Sequence, residues 1–207
     1  VIAEKAHAVG AEVVVDGVSY APHGLPDVTA LGADVYLFSA YKTYGPHQGV
    51  MTVRRELLDR LGNQSHYFNA GSRRAKLVPA GPDHAQIVGC GAMVDYFDAV
   101  FEHHDGSSLP AAERGKVVHD LMRDHETELL ARVLGYLGKR DDVRLVGPSV
   151  AELRAPTVSI IPEQRSLQEV HDTLLDHPVA MGTGHFYAPR PLQGMGVPTE
   201  TGVLRLS

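Results

Sequence analysis

Lys42 stands in Phe38-Ser39-Ala40-Tyr41-Lys42-Thr43-Tyr44-Gly45-Pro46, directly behind the apolar run Val35-Tyr36-Leu37-Phe38. A lysine at the carboxyl end of a buried strand, in a loop of Ser, Tyr, Gly and Pro, occupies the place where open α/β sheets bind their ligands. Partial desolvation there favours the neutral amine and makes it a nucleophile toward a carbonyl; in bulk water the same side chain is only a surface charge. A second run, Val13-Val14-Val15, ends in Asp16-Gly17. If both runs are strands of one sheet, Asp16 and Lys42 face one crevice. An Asp-Gly behind a strand also reads as a plain turn.

An acid and an amine presented together suit pyridoxal phosphate. The lysine forms a Schiff base with the cofactor, and the carboxylate keeps the pyridine nitrogen protonated so that the ring accepts electrons from a bond broken at Cα. Around these two residues stand Gly17-Val18-Ser19, His23, Asp27-Val28, Leu31, Asp34 and Ser39, then Tyr44-Gly45-Pro46 and Gly49. The set resembles the cofactor segment of class V aminotransferase-fold enzymes, which include the cysteine desulfurases. That family's pattern is Asp-Gly-Ala-Gln, His-x-x-x-Asp-Val and Phe-Ser-x-His-Lys-x-x-Gly-Pro, and it aligns without a gap from Asp16 to Lys42. The likeness runs more loosely to Ser207. The family's chains are about twice this length, so the resemblance implies a fragment covering roughly the C-terminal half, without the aromatic residue that stacks on the cofactor ring.

The resemblance implies that Lys42 is the catalytic residue and Asp16 the partner of the pyridine nitrogen. Ser19 stands where the family has Gln near the phenolic oxygen. Ser39 matches a phosphate-binding serine. Tyr41 replaces a His and keeps one hydrogen-bond donor without the charge. Ser72 is the hydroxyl nearest to the family's Gly-Thr-Pro, which reaches the cofactor phosphate of the other subunit and implies a homodimer. Arg205, in Arg205-Leu206-Ser207, matches the Arg-x-Ser arginine that clamps the substrate carboxylate, for which a planar fork is suited. Arg190 and His185 are further substrate-binding candidates.

Desulfurases of the family carry a cysteine behind Gly-His-x, whose thiolate takes the substrate's sulfur. Here the stretch is Gly184-His185-Phe186-Tyr187, and the one cysteine is Cys90, in a segment that reads as a buried helix. A phenol does not accept sulfur in this way, so transaminase or lyase chemistry ranks ahead of desulfuration.

The elements that must position these residues follow from periodicity. Residues 1–9 read as a helix stopped at Gly10, 13–15, 35–38 and 50–53 as buried strands, and 54–61 as a charged segment. Residues 63–82 are irregular, 83–103 helical, and 105–110 (DGSSLP) a boundary. Beyond it a long amphipathic helix is expected, then strands at 143–146 and 157–161, a helix at 166–176, and extended stretches at 179–181 and 203–206. With 207 residues, 19 Lys+Arg against 25 Asp+Glu and net charge −6, the chain is a poor binder of nucleic acid or anionic membrane. One cysteine allows no internal disulfide and fits a reducing cytoplasm. Nothing approaches the roughly 18 apolar residues of a membrane span; Asp95 and Asp98 interrupt the most apolar stretch. Twelve histidines lack the spacing of a zinc helix, so no metal site is expected. The chain opens on Val1 and closes at a strand, so both ends read as cut.

The expected fold is therefore α/β, of fold type I of the pyridoxal phosphate-dependent transferases. Residues 1–105 would be the C-terminal part of a large domain with a mainly parallel sheet, and 106–207 a smaller α+β domain. The expected function is a cytoplasmic, homodimeric pyridoxal phosphate enzyme acting on a small amino acid or related amine. The alternatives are a true cysteine desulfurase, and a non-catalytic or truncated homologue that keeps the fold for dimerisation or binding.

Overall fold

The computed structural model describes residues 2–78 and 81–207. The chain divides into two compact units, Val1–Met122 and Arg123–Ser207; the expected boundary at 105/106 lies earlier, just behind the helix Gly91–His104.

In the first unit, α1 (Ile2–His7) leads into β1 (Val14–Asp16), β2 (Val35–Ser39) and β3 (Gly49–Val53), then α2 (Arg55–Arg60), α3 (His84–Gly89), α4 (Gly91–His104) and the start of α5 (Ala111–Leu137). β1 pairs parallel with β2, Val14 opposite Val35 and Asp16 opposite Leu37. β3 is the antiparallel member among these strands, pairing with β2 so that Ser39 stands opposite Gly49. The connection 40–48 is too short for a crossover, which needs a dozen or more residues, so the chain turns back on itself. Val14 is 63% exposed, so the Val13-Val14-Val15 run is not covered on both faces. Packing comes instead from the other face, where Tyr36 is buried, and from Phe101 of α4 and Val118 of α5, both closed off from solvent.

Asp34 pins the amino ends of the strands. Its carboxylate, 4% exposed, accepts from the Val13 amide at 2.7 Å, lies 2.7 Å from His7 Nε2 and pairs with Arg54 Nη1 at 3.2 Å. The Val13 amide first, then His7, hold its pKa below the usual carboxylate value. Cys90 is half-buried at the joint between α3 and α4 rather than inside a buried helix. The joint arises where α3 stops after Gly89 and α4 starts at Gly91.

In the second unit, the rest of α5 precedes β4 (Val143–Val146), β5 (Val158–Pro162), α6 (Leu167–Leu175), β6 (Met181–Gly184), α7 (Pro189–Gly194) and β7 (Val203–Leu206). The sheet order is β4-β5-β7-β6, with every pairing antiparallel. β5, α6 and β6 form a split β-α-β unit, with β7 lying between the two strands. One sheet face packs Val158, Ile160 and Leu204 on Leu130, Leu134 and Leu137 of α5. The opposite face gathers Leu192, Val197 and Val203, with Phe186 against them. A capping box of Ser166 and Glu169 starts α6. Among the described residues no helix is long and apolar enough to cross a membrane.

Candidate active site

Side chains of paired residues share a face in a sheet, and faces alternate along each strand. Asp16, Leu37 and Ser39 therefore stand on one face, with Asp16 at the carboxyl end of β1 and Ser39 at that of β2. Asp16 is exposed and accepts one hydrogen bond, from the Val18 amide at 3.0 Å. Gly17 continues the ladder through its N–H to Leu37 O at 2.8 Å. A Cβ on Gly17 would overlap the Tyr36 hydroxyl and Cζ and come within 2.6 Å of Cε2. The glycine of the Asp-Gly pair is thus demanded by space: the Tyr36 ring lies across it. Burial first, then the nearby Tyr20 and Asp16, raise the Tyr36 pKa above the usual phenol value, and its hydroxyl is buried without a partner among the described residues.

Three residues past β2 comes Lys42, closing the short 3-10 turn Ala40–Lys42. The turn is fixed from its backbone. Ala40 N–H donates to Gln48 O at 2.7 Å, and the buried Thr43 donates its hydroxyl to Ser39 O at 3.1 Å. Gly45 lets this loop rest on α4, for a Cβ there would lie 2.7 Å from Met93 Sδ and 3.1 Å from Ala40 Cβ. Tyr44, with φ at 63°, donates its hydroxyl to Pro22 O at 2.9 Å. Lys42 itself is exposed, its Nζ 5.7 Å from the Tyr41 ring centroid. No described residue offers it a hydrogen bond or a carboxylate, and none covers it, so the desolvation expected of this lysine is not supplied by the described residues. Tyr41 stacks flat on His47 at 4.5 Å; His47 carried no expectation from the sequence.

Ser19 is exposed two residues beyond Gly17. Ser72 lies in the irregular segment, its N–H bonded to Asn69 O and its Oγ accepting from the Ala75 amide at 3.3 Å. The hydroxyl is engaged in its own turn. That segment is tied to α2 by the Arg73–Asp59 pair and by Lys76, whose ammonium donates to the carbonyls of Leu58 and Asp59. A cavity of about 900 Å³ opens on the other face of the first sheet, among Phe38, Val50, Met93, Phe97, Arg114 and His119. None of the candidate cofactor- or substrate-binding residues lines it, although Asp27 and Phe38 of the recognised pattern and Cys90 do.

In the second unit, Arg205 lies in the middle of β7, between Ser159 of β5 and Gly182 of β6. Its guanidinium carbon sits 3.9 Å from the centroid of the Phe186 ring. Its Nε is buried without an acceptor among the described residues. Arg190 is exposed on α7, a short helix that Pro189 opens in its first turn, where the missing N–H costs nothing. His185 is exposed, and its Nδ1 accepts from the Tyr187 amide at 3.1 Å. Phe186 carried no role from the sequence; its one signal there is an aromatic residue two places behind Gly184.

The family described as aminotransferase class-V matches residues 1–108. An aminotransferase-like protein of Gibberella zeae is 32% identical over 100% of this chain and 49% of its own length. A probable cysteine desulfurase of Pseudomonas putida is 31% identical over 98% of this chain and 47% of its own. Among solved structures, an apo cysteine desulfurase from Thermococcus onnurineus NA1 has a TM-score of 0.71 at 21% identity, covering 100% of this chain and 50% of that one. The chain spans about half the length of the relatives it matches. With that likeness in fold, and with the match to residues 1–108, the chain belongs to the aminotransferase class-V family.

Proposed function

We propose that the protein is a pyridoxal phosphate-dependent enzyme of this family, acting on an amino acid or related amine by transaminase or lyase chemistry. The observation that carries the reading is the pairing of β1 and β2. It sets the Asp16 carboxylate and the Ser39 hydroxyl on one face of a parallel pair, with the Lys42 amine three residues further on at the same sheet end. A carboxylate, a hydroxyl and an amine without a described hydrogen-bond partner are the groups that a phosphorylated pyridine aldehyde requires, so these residues fit the cofactor. When bound, the cofactor supplies an electron sink for a bond broken at the substrate's Cα.

The chain's own residues do the rest. Lys42 would hold the cofactor through Nζ, and the same amine, when free, would take and return a proton at the substrate's Cα as general base and acid. Asp16 would favour the protonated pyridine nitrogen, and Ser39 would donate to the phosphate. Ser19, Tyr41 and Ser72 are lesser cofactor contacts in the same reading. Arg205 binds the substrate carboxylate, with Arg190 and His185 as secondary candidates. A homodimer in the cytoplasm belongs to the same proposal.

The test is the colour of the protein expressed from its own gene. Visible absorbance that borohydride abolishes, with the reduced cofactor's mass fixed on Lys42 and absent from Lys42→Ala, supports the reading; a colourless protein that takes up no added cofactor refutes it. The likeness to cysteine desulfurases favours desulfuration as the second reading. Against it stand Tyr187, 98% exposed in the place of the thiol, and the half-buried Cys90. Persulfide found on the protein after cysteine is added would reverse the ranking.

A further inference from the structure

Arg205 is a charge set into the middle of a sheet, and no described carboxylate pairs with it. No described group accepts a hydrogen bond from its nitrogens, and its Nε is out of contact with water. What it does touch is the Phe186 ring, at 3.9 Å. We infer that Phe186 is a positioning residue for Arg205: its ring pins the guanidinium plane and leaves the outer edge turned to a carboxylate. The inference rests on the reading of Arg205 as the substrate-carboxylate residue.

The stack is built in by the backbone. Phe186 and Tyr187 both have left-handed φ, 47° and 62°, which costs free energy for residues with a Cβ and persists only where the surroundings enforce it. The enforcement is visible. Gly202 and Gly184 approach so closely that a Cβ on Gly202 would overlap the Gly184 carbonyl and lie 2.6 Å from its Cα. That contact fixes where β6 ends. His185 then holds the turn from both sides, its Nδ1 accepting from the Tyr187 amide and its carbonyl from the Ala188 amide at 2.8 Å. Across β6, Gly182 offers the Phe186 ring a flat seat, since a Cβ there would touch the ring at 3.4 Å. Of the two aromatics in this turn, one covers Arg205 while Tyr187 points into solvent.

A free arginine side chain loses rotamer entropy whenever it grips a ligand, and restraining it beforehand removes part of that loss. An aromatic face adds electrostatic attraction and makes one side of the guanidinium dry, which leaves the two-nitrogen edge for bidentate pairing.

The experiment uses the protein expressed from its own gene, labelled with ¹⁵N at arginine, and formate as the carboxylate probe. In the wild type the Arg205 Nε–H resonance, assigned by its loss in Arg205→Lys, should be shifted upfield by the ring. Formate should titrate it. In Phe186→Leu the upfield shift should vanish and formate affinity should fall about tenfold, the scale of one cation–π contact. Phe186→Tyr should restore both. Phe186→Met, which keeps the volume without the π face, should behave like Phe186→Leu and serves if that variant fails to fold. Formate affinity unchanged in Phe186→Leu or Phe186→Met overturns the inference, as does a wild-type Arg205 resonance without the ring shift. Because formate needs no cofactor, a wild type that stays colourless yet loses formate binding in Phe186→Leu refutes the cofactor reading and leaves this one standing.

Discussion

Gly17→Ala tests whether the Asp16 corner is held by shape. The added methyl would overlap the Tyr36 hydroxyl and Cζ, with Cε2 at 2.6 Å. The phenol has little room to retreat, for Tyr36 is 3% exposed and the two strands are joined here by Gly17 N–H to Leu37 O at 2.8 Å. Forcing a methyl into such a site costs at the upper end of overpacking, about 3 kcal/mol. Gly17 has no left-handed φ, so alanine meets no backbone strain and returns about 0.7 kcal/mol by restricting the unfolded chain. The net expectation is a loss of about 2 kcal/mol, which lowers a urea midpoint by about 1 M for a domain of this size.

The partner substitutions make the reasoning refutable. Tyr36→Phe leaves Cζ in the way and should not rescue Gly17→Ala. Tyr36→Val removes the obstructing ring and should, with a coupling energy of about 2 kcal/mol in a double-mutant cycle. Equilibrium urea unfolding of the four proteins measures it. A Gly17→Ala variant as stable as the wild type, or one that Tyr36→Val fails to rescue, would show that the corner yields and that the Asp-Gly pair is an ordinary turn.

Tyr36→Phe alone should be neutral to stabilising by about 1 kcal/mol, because the hydroxyl is buried without a described partner and its desolvation is uncompensated; thermal unfolding would expose the opposite sign. Asp34 has a folded pKa below its ordinary value, owing first to the Val13 amide and then to His7. Its contribution is therefore complete above the unfolded pKa, about 4, and is lost as pH falls through the folded one. Acid unfolding of Asp34→Asn should be shallower than wild type below about pH 4, and parallel curves would dismiss the carboxylate. Ser166→Ala removes the α6 cap and should cost about 1 kcal/mol in urea unfolding.

Several strands were legible because they carry their own signal: Val35-Tyr36-Leu37-Phe38 is a β-branched and aromatic run, and Val203-Leu204-Arg205-Leu206 is a short, mostly apolar stretch that begins behind Gly202. Their pairing direction was not legible at β3, since direction depends on whether nine residues can carry a crossover rather than on the strand itself. The expectation that Asp16 and Lys42 share a sheet end followed from their places behind two runs taken as strands of one sheet, and β1 and β2 do pair in parallel. Asp34 stood in the recognised pattern without a role; the structure gives it one at the far end of the strands, where a buried carboxylate joins three chain segments. Phe186 and His47 were invisible for one reason. Stacking partners are chosen by tertiary proximity, and neither a spacing rule nor a residue type announces them.

The three polar candidates share a pattern that sequence could not display. Asp16 makes one described hydrogen bond, Lys42 none, and Arg205 none, so each keeps its bonding capacity. Their backbones are nevertheless pinned, in each case beside a glycine whose missing Cβ admits a close neighbour: Gly17 under Tyr36, Gly45 under Met93, and Gly202 against Gly184. Polar networks would have fixed these side chains only by satisfying them. Steric contact at the backbone fixes their origin and leaves their remaining polar atoms unsatisfied by described hydrogen-bond partners, Arg205 being restrained only by the apolar Phe186 ring, the combination a binding site needs before its ligand arrives. A methyl at any of the three glycines should therefore disturb binding without removing a single polar group, and do so in proportion to how little its neighbour can yield. Met93 is flexible and yields most; the Gly184 backbone yields least.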